Sequence, residues 1–480
     1  MSWDWLLTLL VVLYALIILA LTLRILMRRR SVGVTLAWLL FVYIVPLVGF
    51  VLYLMFGERY LGRRRARRAE TQYLYYRQWL NHISARNALT QMDQSPLRPV
   101  MEITLGSLGM PAMFGNHWQL LDKPADFFEQ LQADIHAAQD WIFMEFYILQ
   151  PQGRVEDVLA ALEEAQERGV RVHLLLDSVG SNRFLRSERC RVLRDKGVDV
   201  QDVLHANLFR MSLRRIDLRQ HRKLITIDNR LAYTGSMNLA DPTWFKKNSG
   251  YGPWVDVMVR LEGPIAALIQ GTLVFDWEME TEQRLDAALY WPHPPAKGGS
   301  LMQFLPSGPA LDEDILLQVL LTAIHNARES VVISSPYFVP DEALTQALKS
   351  VAKRGLHVTL LVPRRNDSRL VQYASRSFYD ELLSHGVEIL RFSEGLLHTK
   401  CVLIDDHLAL VGSVNLDMRS IWLNFESTLV VDDHRFSQDM HSVIEHYRNR
   451  SHQLDLTQWR KRAYHKRLME NLAQLASPLL

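Results

Sequence analysis

His221-Arg222-Lys223-Leu224-Ile225-Thr226-Ile227-Asp228 is matched, in the second half of the chain, by His398-Thr399-Lys400-Cys401-Val402-Leu403-Ile404-Asp405. Both stretches read His-x-Lys, four further residues, then Asp. Seven residues after each Asp comes Gly-Ser-x-Asn, as Gly235-Ser236-Met237-Asn238 and Gly412-Ser413-Val414-Asn415. Six fixed positions recurring at one spacing are not coincidence, and they divide the chain into two equivalent halves. The residues before each Asp are apolar or β-branched, so each motif is expected on a buried strand, Leu224 to Ile227 and Val402 to Ile404.

The residue types point to phosphate chemistry. Histidine is suited to trade a proton or attack phosphorus near neutral pH. A lysine two residues along a strand shares that face, so its ammonium can meet the same phosphate. Ser236, Asn238, Ser413 and Asn415, each after a glycine, offer donors to phosphoryl oxygens. Two such half-sites facing each other would place His221 and His398 on opposite sides of one phosphorus, the geometry of in-line displacement. The catalytic set expected from the motif is therefore His221, Lys223, Asp228, His398, Lys400 and Asp405. Asp228 and Asp405 each open the turn after the motif strand, where fixing the turn is as well founded a role as touching substrate.

A nucleophilic histidine needs its other ring nitrogen held by an acceptor. Glu426, in Asn424-Phe425-Glu426, is expected to serve His398, and Asp256, in Trp254-Val255-Asp256, to serve His221. No metal is expected. There is no His-x-x-x-His or Cys-x-x-Cys spacing, and a lysine beside each histidine repels a divalent cation. No Walker-type glycine loop calls for a nucleotide, and no cofactor is implied.

Around the motifs the halves share one rhythm. Trp141 to Ile148 reads as a buried strand, Val155 to Arg168 as an amphipathic helix closed by Gly169, and Val170 to Leu176 as the next strand, ending at Asp177. Val331 to Ile333 with Tyr337 to Val339, Ala343 to Arg354, Gly355, and Val358 to Val362 repeat the order. Strand, helix, strand predicts an α/β fold with parallel pairing.

The N-terminus differs. Trp5 to Leu23 and Val32 to Phe56 are nearly continuous apolar runs, each long enough for a hydrocarbon core of ~30 Å. No cleavage site follows the first, so two transmembrane helices are expected over residues 1–58. Arg24 and Arg28 to Arg30 lie between them; Arg59, Arg63, Arg64, Arg65, Arg67 and Arg68 follow. Six arginines outweigh four, which predicts a cytoplasm-facing catalytic part. The following cluster could also touch anionic head groups, each residue adding ~1 kcal/mol. Residues 59–115 are read as a basic juxtamembrane linker, 116–295 as the first α/β domain, and 296–480 as the second, with a helical tail. That tail alternates Trp459, Arg460, Lys461, Arg462, Lys466 and Arg467 with apolar residues. It reads first as a helix packed on its own domain and second as a membrane-surface helix.

In its 480 residues 49% are hydrophobic and 22% charged, with a net charge of +2, so nothing argues for a polyelectrolyte partner such as nucleic acid. The only cysteines, Cys190 and Cys401, fit no disulfide framework. Arg210, Arg214, Arg215, Arg219 and Arg222, interleaved with Leu208, Phe209, Met211 and Leu213, read either as a lipid-facing segment or as a basic surface helix beside the site.

The paired motif resembles that of the phospholipase D superfamily. Within it the chain is similar, along nearly its whole length, to bacterial cardiolipin synthases of the two-anchor type. The stretches that carry the likeness include Leu36 to Leu40, Asp217 to Lys223, Tyr233 to Asn238, Pro336-Tyr337-Phe338-Val339-Pro340, Gly395 to Lys400 and Val414 to Glu426. The resemblance implies two tandem phospholipase D-like α/β domains, with mixed sheets flanked by helices and a pseudo-twofold, after a transmembrane hairpin in the bacterial inner membrane. It implies phosphatidyl transfer between two phosphatidylglycerol molecules, giving cardiolipin and glycerol through a phosphatidyl-histidine. His221 would be the nucleophile and His398 the acid/base, with phosphatidylglycerol and anionic lipids as partners. A membrane-bound phospholipase D hydrolase is the alternative within that chemistry, a nuclease the alternative outside it.

Overall fold

The computed structural model describes residues 3–28, 32–57, 63–86, 95, 98–204, 217–285, 294–309, 311 and 314–477. The chain separates into two compact units. One comprises Met1–Ala66 with Ala206–Leu218, and the other Arg67–His205 with Arg219–Leu480.

In the first unit Trp3–Met27 is a single helix of 25 residues, about 37 Å long at 1.5 Å per residue, and largely exposed. It is long and apolar enough to cross a membrane. The second apolar run differs from expectation. It forms two helices, Val32–Ile44 and Pro46–Phe56. Val45 leaves helical geometry at φ −130°, ψ 72°, and Pro46 has no N–H to continue the ladder. The pieces fold back on each other: Trp38 meets Tyr53 edge-to-face at 5.3 Å, and a Cβ on Gly49 would stand 2.8 Å from Val42 Cα. At 13 and 11 residues, each is shorter than a spanning helix.

Among the described residues the second unit is built on one sheet of 15 strands, with four further short strands paired in two two-stranded sheets. The first half supplies β1 (Ala112–Leu121), β2 (Trp141–Phe146), β3 (Arg171–Asp177), β4 (Asp199–Val203), β5 (Lys223–Ile227), β6 (Leu231–Gly235), β7 (Trp254–Val255) and β8 (Met258–Glu262). The second supplies β9 (Ser300–Ser307), β10 (Ser330–Ser334), β11 (Phe338–Val339), β12 (His357–Pro363), β13 (Glu388–Phe392), β14 (Leu396–Leu397) and β15 (Cys401–Ile404). It continues with β16 (Leu408–Gly412), β17 (Leu416–Asp417), β18 (Glu426–Asp432) and β19 (Ser451–Gln453).

The order β4-β3-β2-β5-β6-β8-β1 in one half is matched by β13-β12-β10-β15-β16-β18-β9 in the other; β1 and β9 join them antiparallel at the centre, and β19 adds an edge. The pairs β2–β3 and β10–β12 are parallel, as strand-helix-strand requires, while the motif strands β5 and β15 enter antiparallel beside β2 and β10. These are the mixed sheets expected.

Helices cover both faces. Arg154–Glu167 buries Val155, Val158, Leu159, Leu162 and Ala165, and Glu342–Lys353 buries Leu344, Ala347, Leu348 and Val351. Gly169 at φ 95° and Gly355 at φ 87° end them in the left-handed region. The Ile265–Thr281 helix is buried along nearly its whole length. The segment read as linker is structured. Arg63–Arg86 and Arg98–Leu108 are helices whose Trp79, Leu80, Ile83, Val100 and Met101 lie in the larger core.

Candidate active site

Leading into β5 and into β15, the extended alternation sorts the motif. His221 and Lys223 share one face and Arg222 takes the other. The two halves meet along two short parallel contacts. Gln220 bridges Phe425, and β14 pairs β7 through Leu396–Trp254 and Leu397–Val255. In consequence His221 N donates to Phe425 O at 2.9 Å, and His398 N donates to Val255 O at 2.8 Å. Each motif histidine is thereby docked beside the carboxylate that follows in the other half.

This reverses the expected pairing. His221 Nδ1 lies 2.9 Å from both oxygens of Glu426, and His398 Nδ1 lies 2.6 Å from Asp256 Oδ1. Neighbourhood in sequence suggested partners within a half, whereas the register between the halves crosses them. The serines also take another place. Ser236 Oγ donates to Asp256 at 2.6 Å, and Ser413 Oγ donates to Glu426. They hold the carboxylates instead of reaching for phosphate, so each half-site is a Ser–carboxylate–His relay built from both halves. Asn238 Oδ1 accepts from Ile148 N at 3.2 Å, and Asn415 Nδ2 donates to Ser420 Oγ at 3.2 Å, which ties the loops after each Gly-Ser. The glycines permit the approach: a Cβ on Gly235 would stand 2.4 Å from Val257 O, and one on Gly412 2.1 Å from Ser427 O.

Lys223 and Lys400 are buried beside the imidazoles, each donating to the carbonyl of its own motif histidine. Lys400 Nζ also lies 2.9 Å from His398 Nε2, whereas His221 Nε2 has no hydrogen-bond partner among the described residues. Burial lowers both histidines to about 4, with the lysine charges adding to it and the paired carboxylates opposing. Burial also brings Lys223 down to about 8 and Lys400 to about 7. Burial opposes ionisation of Glu426 and Asp256, yet the imidazoles and lysines hold both below the usual carboxylate range. An imidazole whose Nδ1–H is held by a carboxylate presents its Nε2 lone pair, the form that attacks or accepts a proton. Two such buried imidazoles, each within reach of the lysine charge of the other half, can exchange a group on an anionic phosphorus.

Asp228 and Asp405 are placed elsewhere. Asp228 accepts from the backbone N–H of Gln139, Asp140 and Trp141, and Asp405 from those of Arg328, Glu329 and Ser330. They sit beyond the far ends of the motif strands, at φ 50° and 54°, and belong to the turn, not the catalytic set. Arg222 is corrected too. It is buried away from solvent, pairs with Asp276, and donates from Nε to Glu426 O at 2.9 Å. Arg210, Arg214, Arg215, Leu208, Phe209, Met211 and Leu213 lie outside the described residues.

Nothing in the motif spacing marks the ring partners. Trp254 packs 4.1 Å from the His398 ring, and Tyr147 stands edge-on to His221 at 5.1 Å. Among the described residues Asp406, His407 and His434 could hold a metal ion, but they are exposed and follow β15 at the end remote from His398.

Comparison with known proteins agrees with this architecture. A family model described as "Cardiolipin synthase, PLD-like domain" matches residues 131–251 and 320–448, and one described as "Phospholipase_D-nuclease N-terminal" matches residues 5–58. The chain is 46% identical over 476 residues to "Cardiolipin synthase A" of Pectobacterium carotovorum, covering 97% of each chain. It is 45% identical over 476 residues to the protein of that name from Serratia proteamaculans, again with 97% of each covered. Among solved structures, phosphatidylserine synthase of Haemophilus influenzae superposes with a TM-score of 0.58 at 14% identity, covering 80% of this chain and 100% of that one. That likeness is one of fold.

Proposed function

The chain belongs to the cardiolipin synthase family of phospholipase D-like proteins, and on that premise we propose that it transfers a phosphatidyl group between two phosphatidylglycerol molecules, giving cardiolipin and glycerol. The observation that carries the mechanism is the crossed pair of buried Ser–carboxylate–His relays, each built from both halves.

His221 Nε2 attacks the phosphorus of the first lipid. A P–N bond forms, the P–O bond to the glycerol headgroup breaks, and His398 protonates the departing oxygen. Glu426 holds the charge that develops on His221. In the second step the terminal hydroxyl of another phosphatidylglycerol gives its proton to His398 and attacks phosphorus, and the P–N bond breaks. One phosphodiester is exchanged for another, so no nucleotide is consumed. His221 is the better nucleophile of the two because Lys400 stands against Nε2 of His398. The anionic phosphate, once bound, favours the imidazolium form that His398 needs. The protein acts at a bacterial membrane, with its catalytic part on the cytoplasmic side.

Purified protein given headgroup-labelled phosphatidylglycerol decides the reaction. Cardiolipin with an equal amount of free glycerol is expected. Phosphatidic acid as the sole lipid product would make the protein a hydrolase.

A further inference from the structure

The Tyr464–Gln474 helix is turned inside out. Its buried residues are Glu470, which pairs with Arg462 at 2.9 Å, and Ala473. Tyr464, Leu468, Leu472 and Leu475 fall on one stripe at helical spacing, and all four are exposed, at 79%, 47%, 50% and 77%. Met469 extends the stripe on one side. The helix packs on Arg369–Ser377, whose own Leu370 and Tyr373 are exposed as well. An exposed apolar stripe of this kind, beside a second helix with exposed apolar residues, calls for an occupant.

Charge says which. Lys461, Lys466 and Arg467 are exposed around the stripe, and Arg369 stands beside Leu370. Acidic residues nearby are already engaged: Glu470 by Arg462, and Asp380 by Arg460. Apolar side chains ringed by cations suit an anionic bilayer surface. The location is also apt. The Arg369–Ser377 helix begins just after Asp367, which accepts from Tyr337 Oη at 2.7 Å and from Lys246 Nζ at 3.2 Å. Lys246 in turn lies 5.3 Å from the ring of Trp254, the residue packed against His398.

We propose that the Tyr464–Gln474 helix, together with Leu370 and Tyr373, is a docking surface that seats the catalytic unit on an anionic bilayer. The inference rests on the reading of the substrate as a membrane lipid, but its readout uses no catalysis. It is distinct from anchoring by the N-terminal helix, because it fixes which face of the catalytic unit meets the lipid.

The full chain carrying Leu472→Cys, labelled with a polarity-sensitive fluorophore and reconstituted in phosphatidylethanolamine vesicles with phosphatidylglycerol, tests it. Cys190 and Cys401 are buried and escape the label. Acyl chains bearing a nitroxide should quench the probe at least about twofold, and Lys466→Glu with Arg467→Glu should reduce that quenching. The same probe at the exposed Glu188 should remain unquenched. Water-like emission at 472 in vesicles, equal quenching at both positions, or a 472–472 cross-link between copies in place of quenching would each overturn the proposal. A chain that docks by this measure yet releases phosphatidic acid would leave the surface intact and refute the synthase reading instead.

Discussion

His221 Nδ1 and the Glu426 carboxylate meet at 2.9 Å although 205 positions separate them in the chain. The histidine comes from one half and its orienting acid from the other, and His398 with Asp256 repeats the exchange. Glu426→Gln should keep the shape but present the wrong hydrogen-bonding partner to Nδ1–H. The rate of cardiolipin formation is expected to fall about 10³- to 10⁴-fold, as when a buried triad carboxylate becomes an amide. Thermal melting should change far less, and product analysis with labelled lipid reads the difference.

The lysines set the alkaline limit. With Lys400 at about 7 and Lys223 at about 8, the pocket loses its cationic charge as pH rises through that range. The histidines, at about 4 in the free site, stay neutral far below their ordinary range. The pH profile should therefore be broad and not a narrow bell near the ordinary histidine range. kcat/KM should hold on the acid side to below pH 5 and decline above about pH 7 to 8, as Lys400, 2.9 Å from His398 Nε2, loses the proton that His398 passes to the leaving oxygen. Lys400→Arg should move the alkaline limb upward, whatever its effect on the plateau.

Stability should follow the same shifts with a definite sign. Folded histidines at about 4, against an ordinary 6.5, leave the unfolded chain binding more protons between those values. Stability contributed by these neutral imidazoles is therefore present above 6.5 and is lost as pH falls toward 4. Denaturant melts at pH 7 and pH 5 should differ in that direction. His221→Ala with His398→Ala should flatten the dependence.

Asp228 and Asp405 serve the fold. Each carboxylate gathers three backbone N–H groups, and hydrogen bonds to a charged acceptor are the stronger kind. Asp228→Ala should cost about 2 to 4 kcal/mol, partly because alanine is poor at φ 50°. Asp228→Asn should cost less. The protein that remains folded should turn over normally, which separates this role from that of His398, whose removal should abolish synthesis.

Arg222 and Asp276 form a buried ion pair behind the motif, with the carboxyl of Glu145 beside it pushed well above its usual range by burial and by the Asp276 charge. Asp276→Ala leaves a guanidinium uncompensated and should destabilise the protein by about 3 to 5 kcal/mol. Arg222→Met with Asp276→Leu should recover much of that loss in a chemical melt, while activity stays reduced because Glu426 O loses its Arg222 donor.

The motif pair, the mixed sheets and the histidine–lysine faces were legible because they depend on local spacing and period. The exchange of Glu426 and Asp256 was not, since it depends on a register between strands far apart in the chain. Ser236 and Ser413 were misassigned for a related reason: a hydroxyl after a glycine suits a phosphate and a carboxylate equally. Pro46 was visible, but its effect depended on Val45 leaving the helix and on Gly49 allowing the fold-back. Trp79, Leu80 and Ile83 tie to the core a segment that its arginines had marked as linker.

The crossed carboxylates have a consequence for biosynthesis. At about 5 to 20 residues per second, His221 leaves the ribosome roughly 10 to 40 s before Glu426 does, given the 205 positions between them. Throughout that interval the nascent chain carries a motif histidine whose orienting acid has not yet been made. The site therefore cannot assemble until translation is nearly finished, and a chain truncated before Glu426 lacks the acid that orients His221.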